Sequence, residues 1–75
     1  MDEVIKYMNN GKWHVRDECA SILIMCCLVT NSSANLSRID RLKQIAILLD
    51  DPKAKVRNSY LELLCIILSF EAAVS

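Results

Sequence analysis

Pro52 splits the second half of the chain into two apolar runs, and it limits more than any other residue what such a chain can fold into. Its ring fixes φ, it has no N–H to donate, and it drives the preceding Asp51 out of the α region. A helix arriving from residue 38 therefore stops there. The apolar pattern resumes at Val56 and continues to Phe70. The stretch Asp51-Pro52-Lys53-Ala54-Lys55-Val56-Arg57 reads as the hard corner of a helical hairpin.

The rest of the chain follows the same alternation. Asp2 to about Asn9 reads as a short amphipathic helix, with Val4, Ile5 and Met8 on one side. Asn9-Asn10-Gly11 is expected to end it in the left-handed conformation of a C-cap. A second helix runs from Trp13 or His14 to about Thr30. Its buried stripe is predicted as Val15, Cys19, Ile22, Leu23, Cys26 and Val29. Ile24, Met25, Cys27 and Leu28 make its latter half apolar nearly all round, as in a helix held between neighbours. Asn31 to Asn35 is a polar linker, and Ser37 is the expected N-cap of a third helix, with Asp40 completing the box. That helix spans Arg38 to Leu49 with a stripe of Ile39, Leu42, Ile45, Ala46 and Leu49, leaving Arg38, Arg41 and Lys43 in water. The fourth, about Lys55 to Phe70, turns Val56, Tyr60, Leu63, Leu64 and Ile67 inward.

Laid on itself with a shift of 41 residues, the chain repeats this pattern. Lys12 falls on Lys53, Val15 on Val56, Arg16 on Arg57 and Leu23 on Leu64. Apolar positions superimpose as well: Cys19 on Tyr60, Ile22 on Leu63, Cys26 on Ile67, Cys27 on Leu68. The helix breakers Gly11 and Pro52 align, as do Asn10 and Asp51. A period of this size belongs to helical repeat arrays.

DDPKAKVRNSYLELL resembles the turn and second helix of a HEAT repeat, and NNGKWHVRDECASIL resembles a more divergent copy. The resemblance covers nearly the whole chain as two repeats. It implies an armadillo-like α-solenoid segment in which a turn acid and a second-helix Arg join neighbouring turns in a ladder. By that resemblance Asp51, Arg57 and Arg16 take those roles, and Asn10, where an acid would stand, weakens or caps the ladder. The expected fold is all-α, two stacked antiparallel helical hairpins of four helices. Repeat 1 covers about residues 1–30, the linker 31–36 and repeat 2 about 37–75.

Composition narrows the function. A chain of 75 residues buries only about 60% of the surface it exposes when unfolded. Yet 53% of its residues are apolar. Apolar surface is therefore expected to be covered by further repeats, a second copy or a partner. Nine basic side chains balance nine acidic ones, so phosphate neutralisation is not the expected mode of binding. Asp17, Glu18 and Glu62, beside the arginines, would repel nucleic acid further. Cys19, Cys26, Cys27 and Cys65 form no disulfide framework and no CxxC pair, which suits free core thiols in a reducing cytoplasm and argues against zinc. The apolar runs are shorter than the roughly 20 residues of a membrane span. Asn31-Ser32-Ser33 and Asn35-Leu36-Ser37 match the glycosylation acceptor pattern, but the acidic start Met1-Asp2-Glu3-Val4 is no secretory signal, and both are read as chance. One His, no Gly-rich phosphate loop and no Ser/His/Asp set leave no enzyme reading.

The candidate binding residues collect in the turns: Lys12, Trp13, His14 and Arg16 in the first copy, Lys53, Lys55 and Arg57 in the second. On stacked hairpins they form a basic ridge with one large aromatic, a composition suited to a protein hot spot. The competing reading has Trp13 stapling its own hairpin while Arg16 and Arg57 serve the ladder. Trp13-His14-Val15-Arg16-Asp17-Glu18-Cys19 is similar to the first turn of TOG domains, HEAT arrays that grip the acidic surface of tubulin with a turn Trp and basic turn residues. The expected function is a non-enzymatic protein-binding scaffold module, with a tubulin-binding version as the alternative. No cofactor, metal, membrane or small-molecule substrate is expected.

Overall fold

Every chain reversal falls where a residue denies the helix its next hydrogen bond or bends it away. The computed structural model describes residues 2–74; Met1 and Ser75, the outer ends of the two expected repeats, lie outside the described residues. Helix α1 (Asp2–Ile5) continues as a 3-10 turn (Lys6–Asn9), followed by α2 (Trp13–Thr30), α3 (Ile39–Leu48) and α4 (Ala54–Val74). Among the described residues the protein is all-α, with four helices. α2 and α4 make the most extensive contact, α1 and its 3-10 turn pack on α2, and α3 packs on α4.

The left-handed cap sits elsewhere than expected. Asn10 is extended, with φ −66° and ψ 142°, and Gly11 has no positive φ. Asn31 instead takes φ 53° and ψ 41° at the end of α2. There the Ser32 N–H reaches back to the Cys27 carbonyl at 3.1 Å, closing the helix in a Schellman-like turn. Ser37 is not the N-cap of α3 either. That position belongs to Arg38, which makes no side-chain capping bond. The Ser37 hydroxyl donates to the Ser33 carbonyl at 2.9 Å and to the Glu71 carboxylate on α4. The linker is thus tied down, with Ser33 and Leu36 both buried. Glu71 anchors the end of α4, and with Ala72 and Ala73 as strong helix formers the helix runs past the expected stop at Phe70.

The core gathers Met8, Cys19, Ala20, Leu23, Cys27, Leu36, Ile45, Leu48, Val56, Tyr60, Leu63 and Ile67. On α4 the stripe is the one read from spacing, with Leu64 half-buried. On α2 it is rotated: Ala20 and Cys27 are buried, Val15 and Cys26 half-buried, and Ile22 and Val29 exposed. The stripe turns toward α4, which makes the larger contact with α2 and packs over the side that carries Ala20 and Cys27. On α3 the buried residues are Ile45 and Leu48, with Ile39 and Ala46 exposed and Leu42 and Leu49 half-buried. Arg41, expected in water, is half-buried and donates to the Asn35 carbonyl at 3.0 Å.

The cysteines divide in the same way. Cys19 and Cys27 are buried, Cys26 is half-buried, and Cys65, expected in the core, is exposed on α4. Burial pushes the Cys19 thiol up, opposed by the nearby Tyr60 hydroxyl, and burial with the adjacent Cys26 pushes Cys27 up. Thiolate is the reacting form. A thiol reagent on the native protein is therefore expected to modify Cys65 first and to reach Cys19 and Cys27 only after unfolding. Mass-mapped labelling with and without urea checks this, and equal native rates at Cys65 and Cys27 would contradict the packing described.

Candidate functional site

The turn before α2 and the turn before α4 are built alike, and the side chains that make them so are polar. In the first, the Asn10 side-chain carbonyl accepts the Lys12 N–H at 2.9 Å. In the second, an Asp51 carboxylate oxygen accepts the Lys53 N–H at 2.9 Å. Each is an Asx turn, the local bond that lets Asn and Asp leave a helix and start the next. The arginines also match. Arg16 Nη1 donates to the Asn10 carbonyl at 2.8 Å, and Arg57 Nη1 donates to the Asp51 carbonyl at 2.7 Å, each six residues back along the chain.

One bidentate pair joins the turns. Arg16 Nε donates to Asp51 Oδ1 at 2.8 Å, and Nη2 donates to Oδ2 at 3.1 Å. The side chains are 15% and 6% exposed. A planar fork on a carboxylate is the strong form of this interaction. Burial pushes the Asp51 carboxyl up in pKa, but the Arg16 hydrogen bond, the Lys53 N–H and the charges of Arg16 and Arg57 outweigh it and hold it below the usual carboxylate range. Two further bonds seal α2 to α4 beside the fork. Tyr60 donates its hydroxyl to the Arg16 carbonyl at 2.7 Å, and Ser59 donates to the Asp17 carboxylate. Burial first, then the nearby Cys19, raises the Tyr60 phenol far above its ordinary value, so it stays a donor at every physiological pH.

The candidate residues fall into three groups. Arg16 and Asp51 are committed to each other, and Asn10 to its own turn and to Arg16. Trp13, Lys53, Lys12 and Lys55 lie on the outer edge. Trp13 is 39% exposed; the Lys53 ammonium sits over its ring, 4.5 Å from the centroid, and the His14 ring meets it edge-on at 5.8 Å. Trp13 thus reaches across to the other turn instead of only stapling its own. Lys55 is partly occupied, 3.8 Å from Asp17. Arg57 is exposed and stands apart. It uses Nη1 for the Asp51 and Pro52 carbonyls, and its Nε and Nη2 make no hydrogen bond among the described residues.

A groove of about 400 Å³ opens between α1 and α2, walled by Val4, Tyr7, Val15, Cys19 and Ile22, with His14 and Glu18 also lining it. Spacing alone missed it, since a groove depends on how α1 and α2 sit against each other and not on the pattern along either. Among the described residues no three His, Cys, Asp or Glu side chains are grouped to hold a metal ion. Fold and site together define an all-helical protein, with four helices among the described residues, in which the turn before α2 is cross-linked to the turn before α4 by an arginine–carboxylate fork. Comparison with protein-family models, curated proteins and solved structures finds no match.

Removing the Asp51 charge leaves the half-buried Arg16 fork opposite a neutral group. Asp51→Asn is expected to lose about 2 kcal/mol of stability at neutral pH. The wild-type advantage is fully present above the ordinary carboxylate range near 4 and disappears as pH falls through the lower folded-state value of Asp51. Urea titrations of both proteins from pH 7 to pH 2 check this: the two should converge in acid, and a gap of constant size would refute the assignment.

Proposed function

We propose that this chain is a HEAT-like docking module: two stacked antiparallel hairpins, a short stretch of helical solenoid that holds other proteins on its uncovered faces. The observation that carries the reading is the pair of equivalent turns 41 residues apart, joined by the Arg16–Asp51 fork. In a solenoid each unit buries its apolar face only against a neighbour. Ile22, Met25 and Val29 on α2, and Leu61 and Leu68 on α4, are exposed here, as expected of units with open ends. Large apolar residues set in rows at helical spacing mark interaction surfaces more than scattered single ones do. Free cysteines are consistent with a reducing, cytoplasmic setting, and no helix among the described residues is long and apolar enough to cross a membrane.

If the rows are docking surface and not core, changing them leaves the fold standing. Leu61→Asp with Leu68→Asp is expected to lower the binding of an apolar fluorescent dye while shifting stability by no more than about 0.5 kcal/mol per site. A loss of several kcal/mol with unchanged dye binding would make the row part of the core and remove the reading.

A second reading is favoured by the exposed edge of Trp13 with Lys53 above it and Lys12 beside it. Such an edge suits an acidic protein surface, tubulin being the partner that the TOG-like turn implies. Co-sedimentation with tubulin, weakened by Trp13→Ala and by Lys53→Glu, is the expected result, and binding untouched by either substitution sinks this version.

A further inference from the structure

The internal α2–α4 contact indicates what covers the two open faces. Asp17, Ala20, Ile24 and Cys27 follow one another at spacings of three and four, and so share one side of α2. Asp17 is bonded to Ser59 and lies near Lys55 on α4, so this side faces α4; Ala20 is 0% exposed and Cys27 1%. Their counterparts 41 residues on are Asn58, Leu61, Cys65 and Leu68. All four are exposed, Leu61 by 51% and Leu68 by 58%. Conversely, the α4 residues Ser59, Leu63, Ile66 and Phe70 are buried or half-buried along the flank that carries the Ser59 contact. Their counterparts Glu18, Ile22, Met25 and Val29 are exposed on α2. Each outer face of the described residues thus carries one unfilled half of the interface that their middle fills.

We propose that a second copy of this chain covers these faces, head to tail, with its α2 set on α4 of the first as α4 is set on α2 within one chain. This rests on the docking reading above and names its partner. Polar groups at the seam match as well. Within the chain a Ser59 hydroxyl donates to the Asp17 carboxylate; between copies the Asn58 amide stands where it donates to the Glu18 carboxylate of the next copy. The Arg57 fork takes the place of Arg16, its Nη1 held in the same way and its Nε and Nη2 free among the described residues. What it meets in the next copy is Asn10, a neutral group where Asp51 supplies a carboxylate. The contact between copies is consequently weaker than the internal one. Because the two surfaces differ, the association is heterologous and adds copies in one direction.

Concentration-dependent sedimentation of the full chain tests this. Wild-type mass is expected to rise with concentration past that of a dimer. Asn10→Asp, which restores a carboxylate to the turn, should shift the onset at least about tenfold lower, as the gain of a charge-assisted fork implies. Arg57→Gln in the same chain should abolish that shift. Leu61→Asp and Ile22→Asp chains should each stay monomeric, and mixed together they should stop at a dimer through the one intact face of each. Circular dichroism verifies that each variant folds, and Leu68→Lys with Met25→Lys replaces any pair that does not. A wild type and Asn10→Asp that both stay monomeric overturn the proposal. So does a mixture that forms no dimer, or an Asn10→Asp gain that survives Arg57→Gln. If those results come with dye binding at the open rows intact, the second copy is excluded and the docking reading stands; if dye binding fails too, both go.

Discussion

The geometry of the molecule depends on a single carboxylate with three donors. Asp51 takes the Lys53 N–H of its own turn and both arms of the Arg16 fork from the other. The first bond shapes the corner that Pro52 begins, and the other two fix where that corner lies relative to the start of α2. Local structure and long-range packing thus share one side chain. The apolar α2–α4 contact supplies most of the favourable free energy, but greasy helices slide past one another at little cost. A bidentate fork with Tyr60 and Ser59 beside it selects one register. Among the described residues no buried side-chain polar atom lacks a partner, so the seam is polar without leaving unmet groups.

Much of this was legible from spacing and chemistry at single positions. Pro52 placed the corner, the period of α4 placed Val56, Tyr60, Leu63 and Ile67 in the core, and the 41-residue shift paired Arg16 with Arg57 and Asn10 with Asp51. What escaped was whatever depends on how a neighbour packs or on distant partners. Ile22 and Val29 have the periodicity of core residues, yet α4 draws the buried side of α2 toward Ala20 and Cys27 and leaves them exposed. Ala20 carries too little apolar character to stand out, and it is buried because α4 passes over it. Ser37 has every local mark of an N-cap, but Glu71 lies 34 residues away in sequence and claims its hydroxyl. Local propensity loses to a tertiary partner at such positions. The turn dipeptide Asn10-Gly11 failed for a related reason: Asn10 satisfies Lys12 from an extended backbone and needs no left-handed residue.

The two halves are alike in plan and unequal in finish. Among the described residues α1 and its 3-10 turn span residues 2–9 beside the 18 residues of α2, and the linker around Ser33 and Leu36 is stitched to α4 by hydroxyls and a carboxylate. The second half is consequently the better closed of the two. Its helix α4 carries the core stripe over nearly its whole length, whereas α2 is covered along its first half on one flank and along the other flank by α4.

The chain has one tryptophan, and it sits at the joint, under an ammonium from the opposite turn. A cation over an indole alters its emission, and that cation is present only while the two corners are side by side. The fluorescence of Trp13 is therefore a built-in gauge of the gap between the two turns. It can register a loosening of their seam in which every helix remains wound and bulk helicity shows nothing.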